Sequence, residues 1–199
     1  MPRTKEQFNE IRVKTKQLII DAGLKIFAQR GYYGTSIADI AKEAGISKGL
    51  AYNYFKSKNN LAEAIFSQSH SFLEHYDKMF EDIEDPFLLL ETIIKGTFKH
   101  LRENEEFWRL YISFALQWEV SDKMKTMFKE IEKNYISKII FIFKKIGIKN
   151  PKAEAYIFGA MFDGVSMDYL LNKEKYPLKS VEKVLLDKYS KEQLKKYVK

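Results

Sequence analysis

SIADIAKEAGISKGLAYNYF, residues 36–55 of a 199-residue chain, is the stretch that decides the fold. Ser36 stands where its side chain can accept from the first free N–H groups of a helix, and Asp39, three residues on, completes a capping box. Ile37, Ile40, Ala41 and Ala44 repeat at helical spacing and make one apolar face. Gly45 stops that helix, because glycine takes the left-handed conformation of a helix end without steric cost. Ile46 returns to the core, and Ser47 caps a second helix running to about Phe55. Two short helices joined by a three-residue turn with a glycine predict a helix-turn-helix.

The second helix carries the chemistry. Its outward positions are Lys48, Gly49, Tyr52, Asn53 and Tyr54, with Lys56 and Lys58 just beyond, and no acidic residue stands between Ile46 and Lys58. A helix on an ordinary solvated surface mixes both signs, whereas one lying in a major groove cannot turn carboxylates toward phosphates. The bland alternative is a helical hairpin with a basic face. Tyrosine hydroxyls bond phosphate oxygens, asparagine pairs with adenine through two hydrogen bonds, and lysine reaches guanine acceptors or phosphate. Phosphate contacts are therefore expected from Ser36, Tyr52, Tyr54 and Lys58, with Lys56 also in reach. Base-edge contacts are expected from Lys48 and Asn53, with Gly49 allowing close approach and Leu50 meeting a thymine methyl.

This segment resembles the DNA-binding domain of TetR-family transcriptional regulators. The residues that carry the resemblance are Ala22, Phe27, Gly31, Tyr32, Thr35, Ser36, Ile40, Ala41, Ala44, Gly45, Ser47, Lys48, Gly49, Tyr52, Phe55, Lys56, Ser57 and Lys58. Two features depart from the pattern. Ala51 stands where a larger aliphatic residue is common, and Asn59-Asn60 stands where acidic residues often follow the lysine, which weakens the capping of the next helix. Beyond this motif the chain is similar to the family in length and helical character alone.

Charge separates the two parts of the chain. Up to Lys58 there are 11 Lys+Arg against 5 Asp+Glu, a net of +6 out of the chain's +7, and the remainder holds 23 against 22. A polyanion partner is thus expected for the N-terminal part only. We expect a DNA-binding domain over 1–58 and a ligand-binding and dimerisation domain over 59–199. The absence of cysteine leaves no disulfide framework and no thiolate metal site. No apolar h-region occurs in the opening MPRTKEQFNEIRVKTKQ, and the strongest apolar run, 139–143, is too short to span a bilayer. The expected location is the cytoplasm, with no membrane partner. His70 and His75 are five apart rather than four, His100 is alone, and there is no phosphate-binding glycine loop and no nucleophile elbow. No metal, cofactor or enzymatic activity is expected.

Helical periodicity runs through the rest. Thr4 and Gln7 can cap a first helix to Arg30, with Ile11, Leu18, Ile19, Ala22, Ile26 and Phe27 inside, closed by Gly31. Ser57 starts a fourth helix to about Phe80, with Leu61, Ala64, Ile65, Phe72 and Met79 inside. Further helices are expected over 86–102 (Phe87, Leu90, Ile94 and Phe98 inside), 105–118, 122–146 capped by Ser121, 151–172, and 179–196. The expected fold is all-α: an N-terminal three-helix bundle with the helix-turn-helix, then a larger helical bundle, about nine helices in all.

Of 29 aromatic residues, 22 follow Lys58, and most of that bulk in a helical bundle is core. The family resemblance implies a ligand cavity among the later helices. Candidates to line it are Trp108, Tyr111, Phe114, Trp118, Phe128, Tyr135, Phe158 and Phe162, which suit an apolar or aromatic effector. The resemblance also implies a dimer in which the last two large helices pair with their copies. The residues here would be Tyr156, Gly159, Ala160, Asp163, Gly164, Met167, Val181, Val184 and Leu185, against the alternative of internal packing. A buried Asp163 would need a partner such as a ligand hydroxyl or amine; otherwise it faces solvent or the dimer interface. The sequence reads as a homodimeric, effector-responsive repressor of a palindromic double-stranded operator. The competing reading is a helical small-molecule or lipid-binding protein with a vestigial reader.

Overall fold

The computed structural model describes residues 4–68, 78–115 and 122–198. Its α-helices are α1 (Lys5–Arg30), α2 (Ile37–Glu43), α3 (Lys48–Tyr54), α4 (Lys58–Gln68), α5 (Pro86–Glu103), α6 (Glu105–Ala115), α7 (Asp122–Ile146), α8 (Pro151–Leu171), α9 (Leu178–Lys188) and α10 (Lys191–Leu194). Residues 78–82 are also helical. Among the described residues there is no strand, only an isolated bridge between Ile148 and Val198. The all-α architecture is the expected one, and no helix is long and apolar enough to cross a membrane.

The described residues of Met1–Ser71 and Arg109–Ser121 form one compact unit, and those of Phe72–Trp108 and Asp122–Lys199 a second. In the first unit, Thr4 and Gln7 cap α1 reciprocally, and Gly31 ends it with φ +74°. α1 packs on α2 and α4. Its buried residues are Ile19, Ile20, Ala22, Gly23, Ile26 and Phe27. Ile11 and Leu18, expected inside, are instead 40% and 46% exposed. Periodicity locates the centre of a helix's apolar face but not how much of its width and length the neighbouring helices cover. Gly23 lets α4 come close, since a Cβ there would lie 2.7 Å from Leu61 Cδ2. The mutual hydrogen bonds of Gln17 with Gln68 set the two helices antiparallel.

α2 begins on the Ser36–Asp39 capping box and buries Ile37, Ile40 and Ala41. Gly45 takes φ +65°, which allows Ile46 N–H to reach back to the Ala41 carbonyl at 3.0 Å. That closure satisfies carbonyls at the helix end and turns the chain into α3. Ile46 is half-buried rather than in the core. Ser47 caps α3 through Leu50 N–H at 3.2 Å, and Ser57 accepts from Asn60 N–H at 3.2 Å at the start of α4. Of the residues expected inside the fourth helix, Leu61 and Ile65 are buried, Ala64 is half-buried, and Phe72 lies outside the described residues.

In the second unit, Asp85 caps α5 and Pro86 opens it, where a missing N–H costs nothing. α5 buries Leu89, Leu90, Ile93, Ile94, Thr97, Phe98 and Leu101, while Phe87 is half-buried. α5 packs on α7 and α9, and α7 lies along α8. The Ser121 cap expected for α7 lies outside the described residues. Phe158 of α8 is the centre of an aromatic cluster, with ring centroids 5.8 Å from Phe143, 5.0 Å from Phe162 and 4.9 Å from Tyr189. Each such fully buried side chain contributes about 1.5–3 kcal/mol.

The expected single helix over 179–196 is in fact broken. α9 ends at Lys188, and Ser190 caps α10, which runs into a 3₁₀ turn at Lys195–Tyr197. The cause is Tyr189, buried in the aromatic cluster with its hydroxyl donating to a Glu154 carboxylate oxygen at 3.0 Å. Ser190, with extended backbone, then accepts from Gln193 N–H at 3.3 Å and restarts the helix.

Candidate nucleic-acid interface

α3 buries Ala51 against the bundle and is followed by buried Phe55. Ala51 is completely buried, so the position that departs from the family pattern is one where α3 packs against the bundle. The opposite side presents Lys48, Gly49, Leu50, Tyr52 and Asn53 to solvent, with Tyr54 half-buried and Lys56 exposed. The Lys48 ammonium lies 5.9 Å from the Tyr52 ring centroid, so the two side chains lean together. Around Gly49 a Cβ would meet nothing within 4 Å. Packing within the chain therefore does not require glycine there.

Two expected phosphate contacts have local partners. The Ser36 hydroxyl is engaged with Asp39, which accepts from Ser36 N–H at 2.8 Å. Those side-chain and backbone hydrogen bonds from Ser36 hold the Asp39 carboxyl below the usual range, so it stays ionised. Lys58 donates from Nζ to the Tyr32 carbonyl at 2.9 Å and lies 4.6 Å from the centre of the Tyr32 ring. The Tyr32 hydroxyl in turn bonds Asn59 Oδ1. The sequence reading named Tyr32 as part of the family motif and missed this anchor. The signal was available in Asn59, whose amide takes the place of the expected acid. The carboxylate of Glu43, at the end of α2, is paired with Lys25 at 2.5 Å.

With Asn53 exposed and one turn after Gly49, Asn53→Ala is expected to relax discrimination at one base position by about 1–3 kcal/mol. Comparing affinities for duplexes that differ at single positions checks this. An equal loss on all of them would move Asn53 to the phosphate contacts.

The residues expected around an effector are dispersed. Phe158 and Phe162 are buried in the α8 cluster, while Phe128 and Tyr135 are half-buried on α7. Trp108 is half-buried, and its indole N–H donates to His100 Nδ1 at 3.0 Å. Tyr111 and Phe114 belong to the first unit. There Phe114 is buried against Tyr32 and Phe66, at 4.9 and 5.4 Å between centroids. Trp118, His70 and His75 lie outside the described residues.

Burial pushes His100 down from the ordinary imidazole value, with Glu103 acting weakly in the opposite direction. Neutral His100 accepts the Trp108 proton, and protonation removes that acceptor. Because the folded-state pKa is depressed, its stabilisation is complete above the unfolded value and is lost as pH falls from about 6.5 toward the folded value. Trp108 fluorescence in a Trp118→Phe background is expected to titrate in that window, and His100→Gln is expected to remove the transition.

Of the proposed dimer residues, Tyr156 (51% exposed), Ala160, Asp163, Gly164 and Met167 (43%) share the outer side of α8. Leu171, which the sequence reading left out, extends that side at 76% exposure. Val184 on α9 is exposed and Val181 half-buried. Gly159 turns toward α7, where a Cβ would be 3.6 Å from Ile136 Cδ1. Leu185 is buried inside the unit. Partial desolvation first, then the Glu132 charge, raises the Asp163 carboxyl.

A capped α2, a glycine turn and a carboxylate-free α3 face define a helix-turn-helix DNA-binding protein. Residues 19–65 match the family described as bacterial regulatory proteins, tetR family. The chain belongs to the TetR family of transcriptional regulators. It is 26% identical over 178 residues to the fatty acid metabolism regulator protein of Bacillus subtilis (strain 168), covering 85% of this chain and 90% of that one. Its fold matches the crystal structure of the transcriptional regulator FadR from Bacillus subtilis in complex with stearoyl-CoA, with TM-score 0.71 at 21% identity over 87% of this chain and 96% of that one. The SmeT–triclosan complex matches with TM-score 0.73 at 22% identity, over 94% and 92%.

Proposed function

We propose that this regulator is a homodimeric repressor that reads a palindromic operator and is released by a small, largely apolar or aromatic effector. The observation that carries the DNA half is α3: its exposed side offers lysine, asparagine, tyrosine and an unobstructed glycine, with no carboxylate from Ile46 to Lys58. A vestigial reader has no reason to keep that surface clear of acids. Residues 1–58 supply the reading element and 59–199 the sensing and pairing elements.

The dimer is supported by α8. One side of the helix is buried within its unit and the opposite side, Asp163 apart, is largely apolar but exposed. A helix apolar on both sides belongs inside an assembly. A twofold pair would bring each α8 against its copy, with the same residues on both sides. A palindrome reader needs two α3 helices spaced about 34 Å, or a multiple of that, along a duplex.

The effector class is supported by the aromatic bulk of the second unit, where Trp108, Phe128, Tyr135, Phe158 and Phe162 are the candidate lining. It is also supported by the stearoyl-CoA and triclosan held by the two fold neighbours. Effector binding shifts the fourth helix and changes the separation of the two α3 helices, so that they no longer fit successive grooves. Thermal shift and operator release with acyl-CoA, free fatty acid and aromatic biocides test this. Release by members of one class supports the reading. Equal α3 separations in operator-bound and effector-bound dimers would overturn the mechanism.

A further inference from the structure

We propose that Tyr32, seated on Phe114, is the positioning residue that holds the Lys58 ammonium at the DNA face. The proposal rests on the reading of Lys58 as a phosphate contact and says how that contact is prepared. A free lysine is a mobile point charge on a flexible stem. Here the stem is fixed at its tip. One of the three ammonium donors goes to the Tyr32 carbonyl at 2.9 Å, and the charge sits 4.6 Å from the Tyr32 ring centroid. The remaining donors are left for a phosphate oxygen, already localised before DNA arrives.

Tyr32 is itself locked. It is buried, its hydroxyl is bonded to Asn59 beside Lys58, and rings surround it: Phe27 at 5.2 Å, Tyr33 at 5.4 Å and Phe114 at 4.9 Å with an interplanar angle of 64°. Three of these four aromatic residues, Phe27, Tyr32 and Tyr33, come from the N-terminal stretch just before the helix-turn-helix. Phe114 comes from α6, far along the chain, yet it belongs to the same compact unit and also contacts Phe66 of α4. A residue outside the DNA-binding motif thus completes the seat of one of the motif's cations. Removing its ring leaves a void beside Tyr32, and a packed ring beside a void shifts toward it. The carbonyl and ring that hold Lys58 move with it.

A double-mutant cycle on the full-length protein tests the proposal, with affinity for a short mixed-sequence duplex as readout, since a phosphate contact acts on every sequence. Lys58→Ala is expected to weaken binding and to reduce the salt slope by about one unit. Phe114→Ala is expected to weaken binding about tenfold with Lys58 present and less than about twofold in the Lys58→Ala background, because coupled sites are non-additive. Phe114→Leu keeps apolar volume without the ring; it is the variant to use if alanine impairs folding, and the same dependence on Lys58 is expected at about threefold. The proton resonances of the Lys58 ε-methylene, shifted by the Tyr32 ring, are expected to move toward random-coil positions in both Phe114 variants. Equal losses in both backgrounds, with the Lys58 resonances unmoved, overturn the positioning role while leaving the phosphate contact standing. Unchanged affinity and salt slope in Lys58→Ala alone overturn both.

Discussion

Gly164→Arg is expected to yield a monomer with a stable fold and an operator affinity at least about 100-fold lower, the scale of a central interface residue. A Cβ at Gly164 meets nothing within 4 Å, and the residue is exposed on the outer side of α8. Within one chain the substitution has room, and exchanging glycine in a helix interior gains up to about 1 kcal/mol of helix stability. Any loss of function therefore has to come from what lies outside the chain. In the proposed twofold pair the arginine meets its own copy at the centre of an apolar contact. Its long side chain holds apart two helices that glycine lets approach, and taking the charge out of water costs several kcal/mol per ion before any pairing with Asp163 on the same side. Without the pair, one α3 reads half an operator. Sedimentation and operator titration of the same preparation check both halves. A variant that remains dimeric would move the interface off α8.

The second large effect is expected at Gly49. Gly49→Glu should raise the melting temperature slightly and still reduce DNA binding by about 100-fold or more. The position is exposed in the first turn of α3, with open space around a Cβ. A carboxylate there gains helix propensity and a favourable interaction with the helix N-terminus, together about 1 kcal/mol. Turned toward phosphates, the same carboxylate contributes about 1–4 kcal/mol of repulsion per copy at effective dielectric constants between bulk water and a protein surface, twice over in a dimer. It also holds the backbone away from the groove. Differential scanning fluorimetry beside a binding titration separates the two. Unimpaired binding would show that α3 does not face the groove through Gly49.

The helix-turn-helix was legible because its signals are local. Ser36, Gly45 and Ser47 each fix a backbone conformation within a few residues, and all three act where expected. Ile11 and Leu18 show the limit: Leu18 is half exposed beside a fully buried Ile19, and no local signal tells which edge of an apolar arc the neighbouring helices cover. The break at Tyr189 was hidden for a similar reason: the half-buried hydrogen bond from Tyr189 to Glu154 is a long-range contact. Phe114 is the sharpest case. As an aromatic on a later helix it resembled every other candidate for an effector site, and only three-dimensional packing assigns it to the reader, against Tyr32. The outer side of α8 was legible in part. Tyr156, Gly164 and Met167 face outward as the interface reading requires, whereas Gly159 lies against α7 and Leu185 of α9 is buried inside its unit.

The central claim is that the chain reads a palindrome as a dimer. Selection from a random-sequence duplex library at near-physiological salt, followed by sequencing, tests it most directly. The account predicts an enriched inverted repeat whose half-sites are centred about one helical turn, or a multiple of it, apart. Enrichment of a single unrepeated half-site, or salt-sensitive binding with no enrichment in the presence or absence of acyl-CoA, would contradict it.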